Sequence, residues 1–357
     1  MRDLDSPGLY ASLDPTGLLE RMQDLARQCE VAWHQAKALH LPEDWTSIDK
    51  VVICGMGGSA IAGDLVADLA SSQETVPILV VRDLRLPFRV DRRSLVIACS
   101  YSGNTEETLS LYRQAVQDNA RVLVAAGGGW LAEDAIARGI PLLRLDILGE
   151  PRGAVGYNLM LLLGALHRLG LVRTPEQDLY ATADALRRQA SRLEAKVITR
   201  DNPAKQLALE LQAKIIAVYG GGVFSGVARR WKTQLNENAK AWAFFEVIPE
   251  LLHNSVEAFR ALPGMTGQVA SLLLQPSNGP EGLLRRFPVV AEMLGQANIS
   301  CQVLRGIDGP PLAEVMVMLS LGDHVSYYLA LLNGVNPSPT PAIDLGKERL
   351  GITRENG

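Results

Sequence analysis

The chain has 357 residues, of which 47% are hydrophobic and 21% charged, and its formal net charge is -4. This length exceeds the usual size of one domain, so we expect two domains. The composition excludes a disordered chain, and the acidic balance provides no basic surface for a nucleic-acid partner. An anionic ligand must therefore be held by local groups and not by the overall charge of the protein.

The cysteines and the apolar segments exclude further classes. The four cysteines form no CxxC pair, so neither a zinc site nor a redox site is favoured, and we expect Cys54 and Cys99 to be small core residues. The N-terminal residues lack the apolar segment of a signal peptide. The longest apolar run that we identify, residues 157–166, is shorter than the roughly 20 residues that cross a bilayer. These features predict a cytoplasmic protein with no membrane partner.

The first half of the chain alternates predicted helices and strands. Helices with an apolar face are predicted at residues 15–39, 60–69, 105–119 and 131–138. Short apolar strands are predicted at residues 51–54, 77–81, 95–99 and 121–126, and residues 141–146 close the series. Continuous apolar strands that alternate with helices indicate a parallel sheet with both faces covered.

The second half repeats this plan, which predicts an internal duplication. Its strands are predicted at residues 214–219, 243–248, 268–274 and 300–305, and its helices at residues 225–240, 255–261 and 284–297. Each half ends in a long apolar helix introduced by proline, at residues 151–171 and 311–332, and a charged helical stretch at 174–200 joins the halves. Prolines at every second position make residues 336–341 an extended strap, which delivers a short helix at 342–350.

The turn after the first strand has the composition of an anion-binding loop. It reads Gly55-Met56-Gly57-Gly58-Ser59 and precedes a predicted helix. Glycines let a ligand approach the backbone, and a helix N-terminus offers free N–H groups, so Gly57, Gly58 and Ser59 are candidate phosphate-binding residues. The third glycine of a dinucleotide fingerprint is replaced by Ala60, which argues against a nucleotide site.

The turn after strand 95–99 is rich in hydroxyl groups. It reads Ser100-Tyr-Ser-Gly-Asn-Thr-Glu-Glu-Thr108 and opens the helix at 105–119. The alternative to phosphate binding is a capping box, a Ser or Thr followed three residues later by Glu. A cap explains one hydroxyl and one Glu but leaves the convergence of Ser100, Ser102 and Thr105 unexplained, so phosphate binding is favoured.

GMGGS and SYSGNTEET together resemble the signature of the sugar isomerase (SIS) domain, which binds phosphosugars. Over residues 15–352 the chain resembles the bifunctional phosphoglucose/phosphomannose isomerase family. The resemblance implies an α/β fold of two flavodoxin-like three-layer (αβα) SIS domains with parallel sheets, plus a C-terminal helix. The domains would be residues 15–172 and 173–335, with the strap and helix at 336–357. The implied reaction converts glucose 6-phosphate, and also mannose 6-phosphate, to fructose 6-phosphate through a cis-enediol, without a metal or an organic cofactor.

The resemblance also assigns a base and a ring-opening histidine. Glu237, in the run QLNENAK, matches the base, and its flanking asparagines are expected to orient it. A solvated helix end is the alternative for a lone glutamate, and nearby Lys240 is interpreted as pairing with the helix dipole. His253 matches the histidine that the family contributes to the neighbouring subunit, which implies a homodimer with shared active sites. Leu252 departs from the family, which has asparagine there.

The remaining assignments concern Arg152, Lys347 and Thr340. Arg152 matches the arginine that faces the enediolate, although an ordinary surface arginine at a helix start is the alternative. Lys347 is a surface lysine on composition alone, and the family places a catalytic lysine on this tail helix, where Gly346 is a departure. Thr340 stands at the strap position that the family links to accepting mannose 6-phosphate.

Three other functions compete with the isomerase. A non-catalytic SIS-domain regulator would keep the hydroxyl loop but need not keep Glu237, His253 and Lys347, so their presence favours the enzyme. A glucosamine synthase of the amidotransferase type would need a nucleophilic cysteine near its start, where this chain has Arg2. A dinucleotide-dependent enzyme is disfavoured by Ala60.

Overall fold

The protein is described by a computed structural model that covers residues 2–146, 149–260, 264 and 266–351. Two separate parallel sheets form within these residues. The first contains β1 (Lys50–Gly55), β2 (Ile78–Val81), β3 (Ser94–Ser100), β4 (Arg121–Ala126) and β5 (Leu142–Arg144). The second contains β6 (Ile215–Gly220), β7 (Ala243–Val247), β8 (Val269–Gln275) and β9 (Ser300–Arg305).

The helices precede, connect and follow these strands. Those of the first half are α1 (Pro7–Leu13), α2 (Leu18–Gln23), α3 (Leu25–Ala38), α4 (Gly57–Ala70), α5 (Glu106–Gln117), α6 (Gly129–Ala137) and α7 (Val155–Arg168). Those of the second half are α8 (Glu176–Leu193), α9 (Pro203–Leu211), α10 (Ser225–Glu237), α11 (Glu281–Leu284), α12 (Arg286–Gln296), α13 (Pro311–Asn333) and α14 (Pro341–Arg349). The predicted α/β class, with two parallel sheets and a C-terminal helix, is confirmed.

Both sheets have the strand order of a doubly wound fold. The first runs β2-β1-β3-β4-β5 and the second β7-β6-β8-β9, with every pair parallel. In each sheet the order reverses beside the first strand in sequence, between β1 and β3 and between β6 and β8. The shared order agrees with the predicted duplication, and it creates a crevice at the carboxyl edge of each sheet, where ligands of such folds bind.

One face of each sheet packs into a common hydrophobic core. Val51 and Ile53 of β1 belong to the same buried cluster as Ile216 and Val218 of β6, together with side chains of α7 and α13. The opposite face of the first sheet is covered by α5 and α6, and that of the second by α12. Because strands β1 and β3 are buried on both faces, they are almost continuously apolar, as the sequence predicted. Cys54 and Cys99 lie in this interior.

The helix α13 corrects one expectation from the sequence. Within the described residues it is long and apolar enough to cross a membrane, although no such stretch was predicted, but 89% of its apolar window is buried inside the protein. The helix is apolar all round because it packs against helices on several sides, including α8, α9 and α10.

Several predicted element boundaries were wrong. The helix expected over residues 15–39 is divided at Asp24, which ends α2 and begins α3. The helix expected at 255–261 is a 3-10 helix over Ser255–Arg260, and residue 261 lies outside the described residues. Helices α1 and α9 were not predicted. A cap marks the start of α9, because the side chain of Asn202 accepts hydrogen bonds from the amides of Ala204 and Lys205.

The two halves of the chain meet where α4 packs against α10. Gly226 permits this contact, since a Cβ atom there would lie 3.0 Å from Asp64 Cβ and from Asp68 Oδ2. The carboxylate of Asp68 accepts a hydrogen bond from the amide of Gly226, and burial raises the pKa of Asp68 to about 7. The neighbouring carboxylate of Asp64 is paired with Arg82 and Arg229.

Candidate active site

The two anion-binding loops lie side by side at the crevice of the first sheet. Gly55 at the end of β1 pairs with Cys99 near the end of β3, so the segments that follow leave the same sheet edge. The helix α4 begins at Gly57 and α5 begins at Glu106, and the first amides of any helix have no acceptor within that helix. Two helix N-termini therefore present N–H groups at the point where the strand order reverses.

In the first loop, the backbone turns at Gly57, whose φ of +49° favours glycine. The N-cap residue of α4, Met56, has no side-chain bond to the helix. The amide of Ser59 donates to the carbonyl of Met56 at 3.1 Å, which leaves the amides of Gly57 and Gly58 as the donors for a ligand. The side chain of Ser59 is largely buried, with 8% of the residue exposed. Gly58 faces the segment that carries Arg152, because a Cβ atom at Gly58 would lie 3.8 Å from the Cα atom of Arg152.

In the second loop, the hydroxyl groups bond to one another and to the loop backbone. The Ser100 and Thr105 hydroxyls lie 2.9 Å apart, and the amide of Gly103 donates to Ser100 Oγ at 3.1 Å. The amide of Asn104 donates to the exposed Ser102 Oγ at 3.3 Å. Thr105 is the N-cap residue of α5, but its side chain makes no cap bond to that helix. The capping-box alternative therefore does not describe this loop.

A third loop, residues 127–130, interlocks with the hydroxyl loop. A Cβ atom at Gly103 would lie 1.8 Å from the carbonyl oxygen of Gly128, and one at Gly129 would lie 2.3 Å from that of Ser102. Both Gly103 and Gly129 have positive φ, +70° and +65°. The amide of Trp130 donates to Asn104 Oδ1 at 2.9 Å. Only glycine at 103 and 129 allows the loops to touch in this way.

Arg152 lies at the centre of a contact between the two halves. It occupies a 3-10 helix before α7, and only 7% of the residue is exposed. Its Nη1 atom lies 3.8 Å from Glu237 Oε2, and its Nε donates to Asn238 Oδ1 at 2.7 Å. Its Nη2 donates to the carbonyls of Pro337, at 2.8 Å, and of Ser338. Burial lowers the pKa of this guanidinium from its ordinary value, while Glu237 opposes the shift. The surface-arginine alternative does not fit this burial.

Glu237 is the last residue of α10, and its side chain is 27% exposed. The expectation that the flanking asparagines orient its carboxylate was wrong. The Asn236 amide donates instead to the carbonyls of Ala241 and Ala243, and Asn238 accepts from Arg152. The asparagines therefore fix the turn after α10 and the guanidinium, and the guanidinium faces the carboxylate.

Lys240 follows this turn and contacts the proline strap, which spans residues 336–340 and not the predicted 336–341, because Pro341 begins α14. It has a φ of +52° and lies outside α10, contrary to the predicted helix end at 240. Its Nζ donates to the carbonyl of Glu237, to that of Pro339 at 2.8 Å and to that of Pro337 at 3.4 Å. The dipole interpretation accounts for the first contact only. Although the Lys240 residue as a whole is exposed, partial burial of its ammonium group, aided by Arg152 and opposed by Glu237, lowers its pKa to about 8.

The remaining predicted residues lie apart from the Arg152–Glu237 pair. Thr340 is the N-cap residue of α14 and directly follows the carbonyl that Lys240 binds. Lys347 is exposed, about 10 Å along that helix from Thr340. His253 is exposed at the end of a 3-10 helix. In the described part of the chain, no hydrogen bond or ion pair joins His253 or Lys347 to Arg152 or Glu237.

Two further residues support the site but were not predicted. Arg230 is 1% exposed, pairs with Asp323 through Nε at 3.0 Å and Nη2 at 2.9 Å, and donates to the carbonyl of Arg152 at 2.6 Å. Ser338 is buried in the strap, and its hydroxyl lies 2.6 Å from that of Thr16. The spacing of Arg230 and Glu237, seven residues on one helix, was the available signal that both lie on the same face.

No group of three or more His, Cys, Asp and Glu side chains in the described residues is arranged to hold a metal ion. The groups that the site offers are the buried guanidinium of Arg152, the partly exposed carboxylate of Glu237 and two helix N-termini lined by hydroxyl groups.

Comparisons with known proteins show the family of the chain. Residues 200–350 match the family model described as "Bacterial phospho-glucose isomerase C-terminal SIS domain". The chain is 33% identical over 339 residues to the bifunctional phosphoglucose/phosphomannose isomerase of Caldicellulosiruptor bescii, which covers 95% of this chain and 100% of that protein. It is 30% identical over 330 residues to the protein of the same name from Aquifex aeolicus, covering 92% and 99%.

Solved structures share the fold. A glucose-6-phosphate isomerase like protein from Thermus thermophilus superposes with a TM-score of 0.63 and 21% identity, over 99% of this chain and 100% of that one. At this identity the likeness concerns the arrangement of the sheets and helices alone.

Proposed function

Because this chain belongs to the bifunctional phosphoglucose/phosphomannose isomerase family and is a sugar-phosphate isomerase, we propose that it interconverts glucose 6-phosphate and mannose 6-phosphate with fructose 6-phosphate. The observation that carries this proposal is the Arg152–Glu237 pair, whose backbone at Arg152 borders Gly58 of the phosphate loop. A sugar phosphate bound at the loops would extend from a helix N-terminus toward a carboxylate and a buried cation.

The phosphate would be held without a basic side chain from either loop. The amides of Gly57 and Gly58 at the start of α4 supply donors from one side, and the hydroxyl of Ser59 is the proposed third donor there, since its amide is bonded to Met56. The hydroxyls of Ser100, Ser102 and Thr105 and the first amides of α5 supply donors from the other. Two helix N-termini and several hydroxyls would bind a phosphate dianion by hydrogen bonds and partial charge. Such local groups are needed because the acidic net charge of the chain does not attract an anion.

Glu237 would act as the base that moves the proton between C1 and C2. In the aldose-to-ketose direction its carboxylate removes the proton from C2, the C1 oxygen is protonated, and a cis-enediol forms. Glu237 then returns the proton to C1 while the hydroxyl on C2 loses its own, which gives the ketose. Arg152 stays protonated, so it stabilises the negative charge that develops on the enediol oxygens and leaves proton transfer to Glu237.

Ring opening and specificity would involve residues outside this pair. His253, being exposed, is free to enter the site of a second copy, which gives a homodimer with shared active sites. Lys347 would assist ring opening, and Thr340 would contact the epimeric C2 region. We propose that the enzyme acts in the cytoplasm, in glycolysis and gluconeogenesis. We also propose that residues 15–172 and 173–335 are its two domains and that residues 336–357 form the strap and the C-terminal helix.

The deciding experiment is a coupled assay of the purified protein with each aldose 6-phosphate, with and without a chelator. We expect fructose 6-phosphate from both substrates and no effect of the chelator. The Glu237→Gln variant serves as the inactive control, and fructose 6-phosphate binding is measured by calorimetry in parallel. Binding without turnover in the unmodified protein would contradict the isomerase and support the alternative, a non-catalytic phosphosugar-binding regulator.

A further inference from the structure

We propose that Lys240 is a positioning residue whose ammonium group fastens the proline strap to the end of α10 and so sets the position of Thr340 and α14 relative to the Arg152–Glu237 pair. This inference rests on the proposed function for its effect on catalysis, but the attachment itself is a property of the folded chain. Lys240 would contact neither substrate nor reacting atoms. Its role would be exerted through the backbone of the strap.

The strap depends on outside donors for its attachment. Its sequence is Asn-Pro-Ser-Pro-Thr, and two of its five residues are prolines without an N–H group. A segment of this kind forms neither a helix nor a ladder of its own. The three central carbonyl groups, of Pro337, Ser338 and Pro339, accept hydrogen bonds from Arg152 or Lys240. Two cations therefore account for the backbone attachment of the strap.

The division of these bonds makes Lys240 the anchor nearest to α14. Arg152 binds the carbonyls of Pro337 and Ser338, whereas the carbonyl of Pro339 is bound, among the described residues, by Lys240 alone, at 2.8 Å. The next residue, Thr340, is the N-cap residue of α14. That helix has no buried residue over Pro341–Arg349. Since no buried side chain fixes α14 in one place, its position depends strongly on the strap from which it starts.

Lys240 is itself held firmly at its backbone. Asn238 and Ala239 are fully buried, and the amide of Asn333 donates to the carbonyl of Ala239 at 3.0 Å. The left-handed backbone at Lys240 directs the chain back toward β7. Because the ammonium also binds the carbonyl of Glu237, one side chain connects the residue proposed as the base to the strap.

The charge of this anchor depends on pH in an accessible range. The pKa of Lys240 is lowered to about 8, chiefly by burial and then by Arg152, while Glu237 acts in the opposite direction. Arg152 and Glu237 are thus the charged groups that act on Lys240, and the strap adds none, because residues 336–340 carry no ionisable side chain. Above this pH the ammonium becomes a neutral amine, which is a weaker donor to a carbonyl. The attachment of α14 should therefore loosen as the pH rises.

The first test measures amide hydrogen exchange in α14 by mass spectrometry and requires no substrate. Replacing Lys240 by Met should accelerate exchange in residues 341–349 by about tenfold, the size expected when a hydrogen bond to a charged donor is lost. Lys240→Arg should exchange almost as slowly as the unmodified protein. Lys196→Met is the matched control, because Lys196 makes one exposed ion pair, with Glu194, and no contact with the strap.

The second test measures isomerisation. Lys240→Met should lower kcat by roughly tenfold or more with a much smaller change in KM, because the groups on α14 are misplaced while the phosphate loops are intact. In the unmodified protein kcat should fall above about pH 8, and in Lys240→Arg this fall should move to higher pH. A residue that only supports folding would lower the amount of active enzyme without moving the pH profile.

The outcomes separate this inference from the proposed function. Faster exchange in α14 of Lys240→Met supports the anchor even if no sugar phosphate is isomerised, in which case only the proposed function fails. If the unmodified protein is active and α14 exchanges at the same rate in it and in Lys240→Met, the proposed anchor is overturned. If Lys240→Met does not fold, the test uses the unmodified protein. The exchange rate of α14, corrected for the intrinsic rate, is then compared at pH 7 and pH 9.5. An unchanged rate also overturns the proposed anchor.

Discussion

The guanidinium of Arg152 and the carboxylate of Glu237 approach within 3.8 Å across the boundary between the two halves of the chain. Arg152 precedes the last helix of the first half, and Glu237 ends the first helix after β6. Neither half contains this pair alone, so the proposed reaction centre requires both halves to fold against each other.

Replacing Glu237 by Gln should reduce turnover by several orders of magnitude, because the amide cannot accept the proton from C2. Calorimetric binding of fructose 6-phosphate should be nearly unchanged, since Glu237 is not one of the groups proposed to hold the phosphate. Steady-state assays in both directions check the prediction. A variant that keeps more than about a tenth of the unmodified turnover would remove Glu237 from the role of base.

Replacing Arg152 by Lys should lower kcat by roughly 100-fold, a typical loss when one stabilising donor is removed. The planar guanidinium binds Asn238 and the strap and at the same time faces the carboxylate of Glu237, and a compact ammonium group cannot reproduce this geometry. Arg188→Lys is the control, because Arg188 is an exposed arginine on α8. Equal kcat in both variants would show that the fork geometry of Arg152 is not needed.

The double variant Ser102→Ala/Thr105→Ala should mainly raise KM for fructose 6-phosphate, because the lost hydroxyls would contact the phosphate and not the reacting carbons. A smaller loss of kcat is expected if phosphate binding also aligns the sugar. Ser191→Ala, which removes an exposed hydroxyl on α8, is the control. Unchanged calorimetric affinity in the double variant would mean that the loop does not bind the phosphate.

Two inactive variants should complement each other if His253 serves the partner's site. After mixing His253→Ala with Glu237→Gln and allowing subunits to exchange, a hybrid dimer has one site with both changes and one with neither. Its activity should approach half that of the unmodified dimer, by two-fold symmetry. Tagged pull-down verifies exchange. Verified exchange without activity would place His253 in its own subunit or outside the reaction.

Asp68 should make stability depend on pH. Its pKa is about 7 in the folded protein against an ordinary 3.8, so between these values the unfolded chain releases a proton that the folded protein keeps. The contribution of Asp68 to stability is therefore complete below about pH 4, falls as the pH rises to about 7, and is then absent.

Replacing Asp68 by Asn keeps an acceptor for the Gly226 amide but removes the charge. The variant should unfold at a higher temperature than the unmodified protein at pH 8, with a gain on the order of 1 kcal/mol, and should lose this difference at pH 4. Thermal unfolding at both values provides the check, with the exposed Asp118→Asn as control. A gain that is equal at both pH values would point to a cause other than titration.

The repeating pattern of the sequence predicted the sheets well, because their strands are short apolar runs bounded by glycine-rich turns. The strand β4 was predicted at its observed bounds, and the loops at residues 55–59 and 100–105 lie at the expected sheet edge. Local patterns of this kind depend on residues that are neighbours in the chain. They indicate elements and the turns between them.

The support of the site was not predictable because it depends on contacts between distant segments. Asn238 was expected to orient Glu237, its neighbour, but it binds Arg152 from the other half. Lys240 was expected to pair with a helix dipole, but it binds a strap about a hundred residues later, as its contact with Pro339 shows. A single sequence carries no record of which polar side chain meets which distant carbonyl.

The interlocked glycines at 103 and 129 have a consequence for redesign of this enzyme. A backbone carbonyl from each loop occupies the space of a missing side chain on the other, so neither loop can be exchanged for one of another shape without its counterpart. Residues 100–105 and 127–130 must therefore be replaced together when a loop is grafted. Altered substrate range at the phosphate end should be sought by grafting both segments together from one donor protein.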